Sequence, residues 1–212
     1  MPTQLTPAQA WQKLKDGNER FVSGNVKHPS QSADRRKELQ ITQNPFATIF
    51  GCSDSRVAAE IIFDRGLGDL FVVRTAGHTV DTTVIGTIEY AVNLLDTPLI
   101  IVLGHDKCGA IHAAAQTLAS GEQPSGFIRA LTDRVIPSIV GFTKQDGALD
   151  QFTENQLRTE HVKHTGEMLH GYSAAIAAAV AEGRLAIVGL EYDLEDGKAH
   201  LVNVIGDIGE VA

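Results

Sequence analysis

Cysteine is scarce in this chain, two in 212 residues, which rules out a disulfide-stapled secreted scaffold. Long apolar runs are missing as well: nothing approaches the roughly 18–20 residues that a membrane span requires. The opening "MPTQLTPAQAW" has no basic segment leading into an apolar one, so no secretory leader is evident and the cytoplasm is the expected compartment. Positive charge is in deficit, with 18 Lys and Arg against 26 Asp and Glu and a net charge of −8. A chain that grips a phosphate backbone carries a basic stripe, so neither nucleic acid nor a membrane is an expected partner. Small anions stay compatible, because local charge matters to them more than the sum. No Gly-x-Gly-x-x-Gly and no P-loop follows any apolar run, which leaves nucleotide binding without a motif. There is no fixed-period repeat and no low-complexity segment.

What is present is the makeup of a soluble globular protein, 43% hydrophobic and 21% charged, read most economically as a single domain over 1–212. Residues 1–45 form an N-terminal helical arm in this reading. Thr6 caps a helix, Pro7 opens it and Gln9 closes a capping box. Trp11, Leu14, Phe21 and Val22 give that helix an apolar face ending near Gly24, and a polar stretch from Asn25 to Gln40 wraps over a surface. Four strand-length apolar runs follow: "FATIF" at 46–50, "LFVVR" at 70–74, "LIIVLG" at 99–104 and "LAIVGLEY" at 185–192. Apolar residues on both faces suit strands covered from both sides, as in a parallel sheet. Helical patterns separate them, including "TTVIGTIEYAVNLLD", "AIHAAAQTLAS", a "GFIRALTDRVIPSIVG" segment with Pro137 inside, and "YSAAIAAAVAEG" closed by Gly183. The expected fold is α/β: a mostly parallel sheet of about four strands, an antiparallel edge strand from "AHLVNVIG" at 199–206, and flanking helices. His161 and His164 share a helical face by spacing, and a solvated face is the expectation for them.

Chemistry concentrates at two strand ends. "GCSDSR" at 51–56 sets Cys52, Asp54 and Arg56 at alternate positions, and "GHDKCG" at 104–109 offers His105 and Cys108. Taken alone, Cys-x-Asp-x-Arg is more often a packing cysteine beside a surface ion pair, and His-x-x-Cys is a weak signal. A reactive thiol, a metal ligand and half of a disulfide are all open for Cys52. A disulfide to Cys108 is disfavoured in a reducing compartment, and a cysteine phosphatase would want arginine six residues on, where Ala58 and Ala114 stand. Parallel sheets collect ligands at the carboxyl ends of their strands. If the first and third strands are neighbours, Cys52, His105 and Cys108 meet there as two thiolates and an imidazole, a donor set suited to zinc. Three protein ligands leave a fourth position open, as catalytic sites do. Asp54 and Arg56 would share one side of an extended segment with Cys52.

At these residues the chain resembles the β-class carbonic anhydrases of bacterial type. "CSDSR" at 52–56 and "GHDKCGA" at 104–110 carry the resemblance, supported by "VVRTAG" at 72–77 and "IEYAV" at 88–92, and it extends from "GNERFVSGN" to "IVGLEYDLEDG". It implies one zinc ion per chain on Cys52, His105 and Cys108, with Asp54 and Arg56 as a catalytic dyad. The implied reaction is reversible hydration of CO2 to bicarbonate and a proton by a zinc-bound hydroxide. Arg56 is expected to keep Asp54 from swinging onto the metal, a closed state anticipated at low pH. Gln43, Phe71, Ala76, Tyr90 and Gly109 fall where the family binds substrate, with Gln43, Phe71 and Tyr90 expected from a partner chain in a homodimer or dimer of dimers. An inhibitory bicarbonate site of some members matches at Arg74 and Tyr192 but has Ile49 in place of its tryptophan, which makes Arg74 structural. The histidine shuttle of other members falls at Leu94, leaving His78, His112, His161, His164 and His170 as candidates by chemistry alone. Two other functions share the motif: carbon disulfide hydrolysis on the same scaffold, and a non-catalytic zinc-stabilised interaction domain.

Overall fold

The apolar runs fold as the strands of one five-stranded sheet in a computed structural model that describes residues 5–142 and 151–209. The strands are β1 (Ala47–Cys52), β2 (Leu70–Thr75), β3 (Leu99–His105), β4 (Ala186–Tyr192) and β5 (Ala199–Ile205), in the order β2-β1-β3-β4-β5. The first four are mutually parallel and β5 runs antiparallel to β4, with a register shift at Gly189/Leu190. Every residue of β1 and β3 is buried, as expected of strands covered on both faces. At the sheet edge β2 is different. Only Val73 is fully buried there, so its apolar run did not report two covered faces within one chain. The strands also run further than the apolar runs suggested: Cys52 and His105 are the last residues of β1 and β3 rather than residues just beyond them.

Helices cover both faces. The described helices are α1 (Pro7–Val22), α2 (Ala33–Glu38), α3 (Ala59–Ile62), α4 (Thr82–Leu94), α5 (Gly109–Ser120), α6 (Ile128–Ile139), α7 (Gln151–Tyr172) and α8 (Ala174–Ala181). None is long and apolar enough to cross a membrane among the described residues. On one face of the sheet Ile49, Ile101, Leu103, Val188 and Leu190 pack with Trp11 and Leu14 of α1 and with Phe63. On the other, Phe50, Ile100, Val102 and Ile187 meet Ile88 of α4 and Val162 of α7, with Leu169 and Ile176 beyond. Side chains of this size contribute about 1.5–3 kcal/mol each when fully buried, so these two layers drive the fold.

The arm follows its local signals. Thr6 and Gln9 form the reciprocal capping box, with Pro7 in the first turn. Close contact then needs Gly17, since a Cβ there would collide with the Phe63 carbonyl. The polar stretch that follows is anchored by a buried carboxylate: Asp64 accepts from Arg20 Nε at 2.6 Å and from the backbone N–H groups of Lys27 at 3.0 Å and His28 at 2.9 Å. Burial alone would raise the Asp64 pKa, but Arg20 and these amides outweigh it and hold it below its ordinary value. The largest departure from expectation is α7. His161 is 2% exposed rather than solvated, because the helix is pressed between α6 and the sheet, and His164 is half-buried.

Candidate metal centre

Because β1 and β3 are parallel neighbours, their carboxyl ends lie side by side, and each ends on a metal-binding residue type. The chain leaves β3 through a turn with Lys107 at φ 52° and re-enters at Cys108, the residue that caps α5. The Cys52 and Cys108 sulfurs and a His105 ring nitrogen thereby lie within 4.8 Å of one another, all three residues buried. The packing beneath is apolar: Ile111, Ala114 and Ala115 of α5, Val135 and Ile139 of α6, and Leu157 of α7.

The protonation states of this cluster are set by its neighbours. His105 Nδ1 lies 2.7 Å from the Asp106 carbonyl oxygen, which can only accept, so Nδ1 carries the proton and Nε2 presents a lone pair. Nε2 is buried and has no hydrogen-bond partner. Leaving such an atom unsatisfied costs about 1–3 kcal/mol, and a cation is the partner that its lone pair and the two sulfurs can share. The two thiols act on each other. Cys108 draws the Cys52 thiol well below its ordinary value, against the effect of burial, with help from His105 and from the Gly77 and Asp54 amides. Cys108 is pushed up correspondingly, first by its hydrogen bond with Cys52 and then by burial. Burial alone would lower the His105 imidazole, but the Cys52 charge beside it raises it. A dication would displace the thiol protons and meet two thiolates and a neutral imidazole. The donor set therefore fits zinc.

Asp54 and Arg56 stand beside this cluster, but the backbone between them is not extended. Val57 N–H donates to the Asp54 carbonyl at 3.0 Å, closing a turn, and the Arg56 amide donates to Asp54 Oδ1 at 2.9 Å. An aspartate side chain readily accepts from the backbone two residues on, and that is what brings the pair together here. The Arg56 guanidinium then grips the carboxylate bidentately, Nε to Oδ1 at 2.9 Å and a terminal nitrogen to Oδ2 at 2.7 Å. Chiefly because of Arg56, the Asp54 carboxyl is held well below the usual carboxylate range. Arg56 also donates to the Lys107 carbonyl at 3.3 Å, linking the loop after Cys52 to the loop between His105 and Cys108. Arg74 reinforces the first loop from β2, donating to the Cys52 carbonyl at 2.9 Å and the Asp54 carbonyl at 2.6 Å.

The remaining sequence candidates fall into separate places. Gly109 lines a cavity of about 310 Å³ with Cys108, Ile111 and His112. Ala76 begins a short 3-10 turn, Ala76–His78, directly after β2. Gln43 and Tyr90 line a different cavity, next to Leu39 and Leu67, and Phe71 stacks on Tyr90 with ring centroids 6.1 Å apart. Ile49 lies in the core, Tyr192 is buried at the end of β4, and Leu94 is exposed. Of the histidines, His112 pairs with Glu154 at the surface at 3.2 Å, whereas His78 and His161 are buried.

A family model described as carbonic anhydrase matches residues 47–199, which span both ligand-bearing segments. "Carbonic anhydrase 2" of Mycobacterium tuberculosis is 53% identical over 206 residues, 96% of this chain and 97% of the relative. The chain belongs to the β-class carbonic anhydrase family. "Carbonic anhydrase" of Mycolicibacterium smegmatis is likewise 53% identical, over 97% of this chain and 98% of its own. Among solved structures, the β-carbonic anhydrase CcaA shares the fold at a TM-score of 0.73 and 23% identity, covering 95% of this chain and 93% of its own. A structure described among tetrameric β-carbonic anhydrases of Sordaria macrospora does so at a TM-score of 0.72 and 22% identity, covering 91% and 96%. Two features of this candidate site were not visible in its motifs. Gly77 donates its amide to Cys52 Sγ at 3.2 Å, and Arg74 secures the carbonyls on either side of Ser53. "VVRTAG" carried both residues as part of a resemblance, with no signal of what they touch.

Proposed function

We propose that this chain catalyses the reversible hydration of CO2 to bicarbonate and a proton at the Cys52–His105–Cys108 cluster, with Asp54 and Arg56 as the catalytic dyad. The observation that carries it is the placing of three metal donors within 4.8 Å beside a carboxylate held bidentately by arginine. One zinc ion per chain on those donors would supply the Lewis acidity that makes water a nucleophile near neutral pH. The Nδ1–H bond to Asp106 fixes His105 in the tautomer that ligates through Nε2. Asp54 stays ionised across the working range, so its oxygens keep lone pairs free, beyond those that Arg56 uses, to accept a proton-bearing oxygen and aim it. Arg56 holds that carboxylate in place and off the open ligand position. A structural zinc domain would have no use for this pair, and carbon disulfide hydrolysis gains no support from relatives named as carbonic anhydrases.

We infer a single domain with residues 1–45 as an arm, acting as a homodimer or dimer of dimers. Ile41, Leu67 and Tyr90, 92%, 44% and 47% exposed, border one cavity with Gln43 on the β2 side, an apolar surface suited to a second copy. Gln43, Phe71 and Tyr90 would complete the partner's substrate pocket from there, alongside Ala76 and Gly109 of the chain holding the metal. Two unpaired thiols serving as ligands suit the reducing cytoplasm. The decisive test is stopped-flow CO2 hydration across pH with zinc quantified per chain, comparing wild type with Asp54→Asn. Hydration should be lost in the variant while zinc stays stoichiometric; joint loss of zinc and fold would point to a structural site instead.

A further inference from the structure

One buried group near the site is left idle by the hydration chemistry. His161, on α7, reaches two other elements at once: Nε2 lies 2.8 Å from the Gly77 carbonyl oxygen and Nδ1 2.7 Å from Ser138 Oγ on α6. The carbonyl only accepts, so Nε2 carries the proton. Burial, the main cause, and the charge of His164 bring the imidazole down to about 4, so the ring is neutral and Nδ1 is bare. Ser138 must then donate to it. The Ser138 hydroxyl also donates to the Val135 carbonyl at 2.6 Å, so its one proton is divided between that oxygen and Nδ1.

Gly77 is where this chain of contacts meets the metal centre. Its carbonyl accepts from His161, and its amide donates to Cys52 Sγ at 3.2 Å, a closer contact than the Asp54 amide makes at 3.4 Å. The residue can face both ways because it is left-handed, at φ 64° and ψ 26°. Glycine alone does so without strain, and a Cβ would stand 2.6 Å from Ala110 Cβ. Among the described residues, the bond from His161 is what ties the Gly77 carbonyl to α7.

We propose that His161, backed by Ser138, is a positioning residue of the metal centre, holding the Gly77 turn so that its N–H stays on the Cys52 sulfur. This rests on Cys52 being a metal ligand, as inferred above. A hydrogen bond to a thiolate draws charge off the sulfur and fixes its direction. Without His161 the sulfur becomes more electron-rich and less well aimed. A histidine that merely filled the core would leave the metal unaffected when replaced by a ring of similar size.

The test loads wild type, His161→Phe, His161→Gln and Ser138→Ala with Zn(II) and, separately, Co(II). His161→Phe removes both nitrogens; His161→Gln keeps an N–H for Gly77 and an oxygen for Ser138. Zinc dissociation constants from chelator competition should rise about 10–100-fold in His161→Phe, less in Ser138→Ala, and return most of the way in His161→Gln. The sulfur-to-cobalt charge-transfer band should move to lower energy in the same order. Wild-type affinity and spectrum in folded His161→Phe would overturn the proposal, and if that variant does not fold, the same result in Ser138→Ala would do so. A wild-type protein that takes up no metal would overturn the metal-site assignment together with it.

Discussion

Removing the Arg56 guanidinium should separate position from charge at Asp54. In Arg56→Ala the carboxyl returns toward its ordinary value of about 3.9 and is still ionised at pH 7. The Asp54 carboxyl therefore adds no titration of its own to the pH–rate profile near neutrality. What is lost is the grip: bonds of 2.9 and 2.7 Å to the two oxygens, with only the backbone amide of residue 56 still bonded to Oδ1. Charge-assisted hydrogen bonds are roughly twice as strong as neutral ones, but the Arg56 side chain is 50% exposed, so water competes and much of that strength is lost. A roughly 10-fold fall in kcat/KM is expected. Arg56→Lys, which offers a point charge and no fork, should fall between. Stopped-flow hydration from pH 6 to 9 measures this, and Co(II) spectra report whether the freed carboxylate has moved onto the metal. A kcat/KM within threefold of wild type, or a second acidic limb that wild type lacks, would refute the assigned role.

Acid stability should decline in two windows. His161 is neutral in the fold, with its value brought down to about 4 from 6.5, so the unfolded chain binds the extra proton first and stability falls as pH drops from about 6.5 to about 4. The shift corresponds to about 3 kcal/mol, and buried His78, which faces it at 4.3 Å between ring centroids, acts in the same direction. Asp64 acts lower down: its value is depressed in the fold, so its contribution is complete above about 4 and is lost as pH falls through the folded value. Urea unfolding as a function of pH should show His161→Gln flattening the upper window and Asp64→Asn the lower one; unchanged slopes would contradict these assignments. Gly77→Ala should cost about 2–4 kcal/mol, combining a left-handed backbone with overpacking against Ala110. It should also weaken zinc binding, measured by unfolding with and without the metal, whereas a loss below about 1 kcal/mol would mean that the turn relaxes freely.

The sheet and the meeting of Cys52, His105 and Cys108 were legible because they rest on local patterns. Continuous apolar runs marked the buried strands β1 and β3, and placing ligands at strand ends required only that those strands be neighbours. Asp54 and Arg56 were found by spacing, yet the spacing implied an extended segment where a side-chain-closed turn does the work. Helix α7 was hidden for a different reason. Its buried stripe runs through Leu157, His161 and Thr165 with Val162 and Leu169, so polar residues interrupt the inward positions and the hydrophobic period does not stand out.

A buried histidine is intelligible only through what satisfies it, and that information is remote in the chain. The partners of His161 lie 23 residues away at Ser138 and 84 away at Gly77, and nothing in "TEHVKH" points to either. The same limit applies at β2, where an apolar run reads as a two-sided strand although one chain leaves it half-covered. Phe71 and Tyr90 stack on each other there and still leave Tyr90 47% exposed, a cost in apolar surface that a second copy would remove. Uncovered positions and proposed functional positions thus coincide around β2: the residues that the fold of one chain leaves unburied include Phe71 of β2 and Tyr90 of α4, which the proposed pocket needs from its partner.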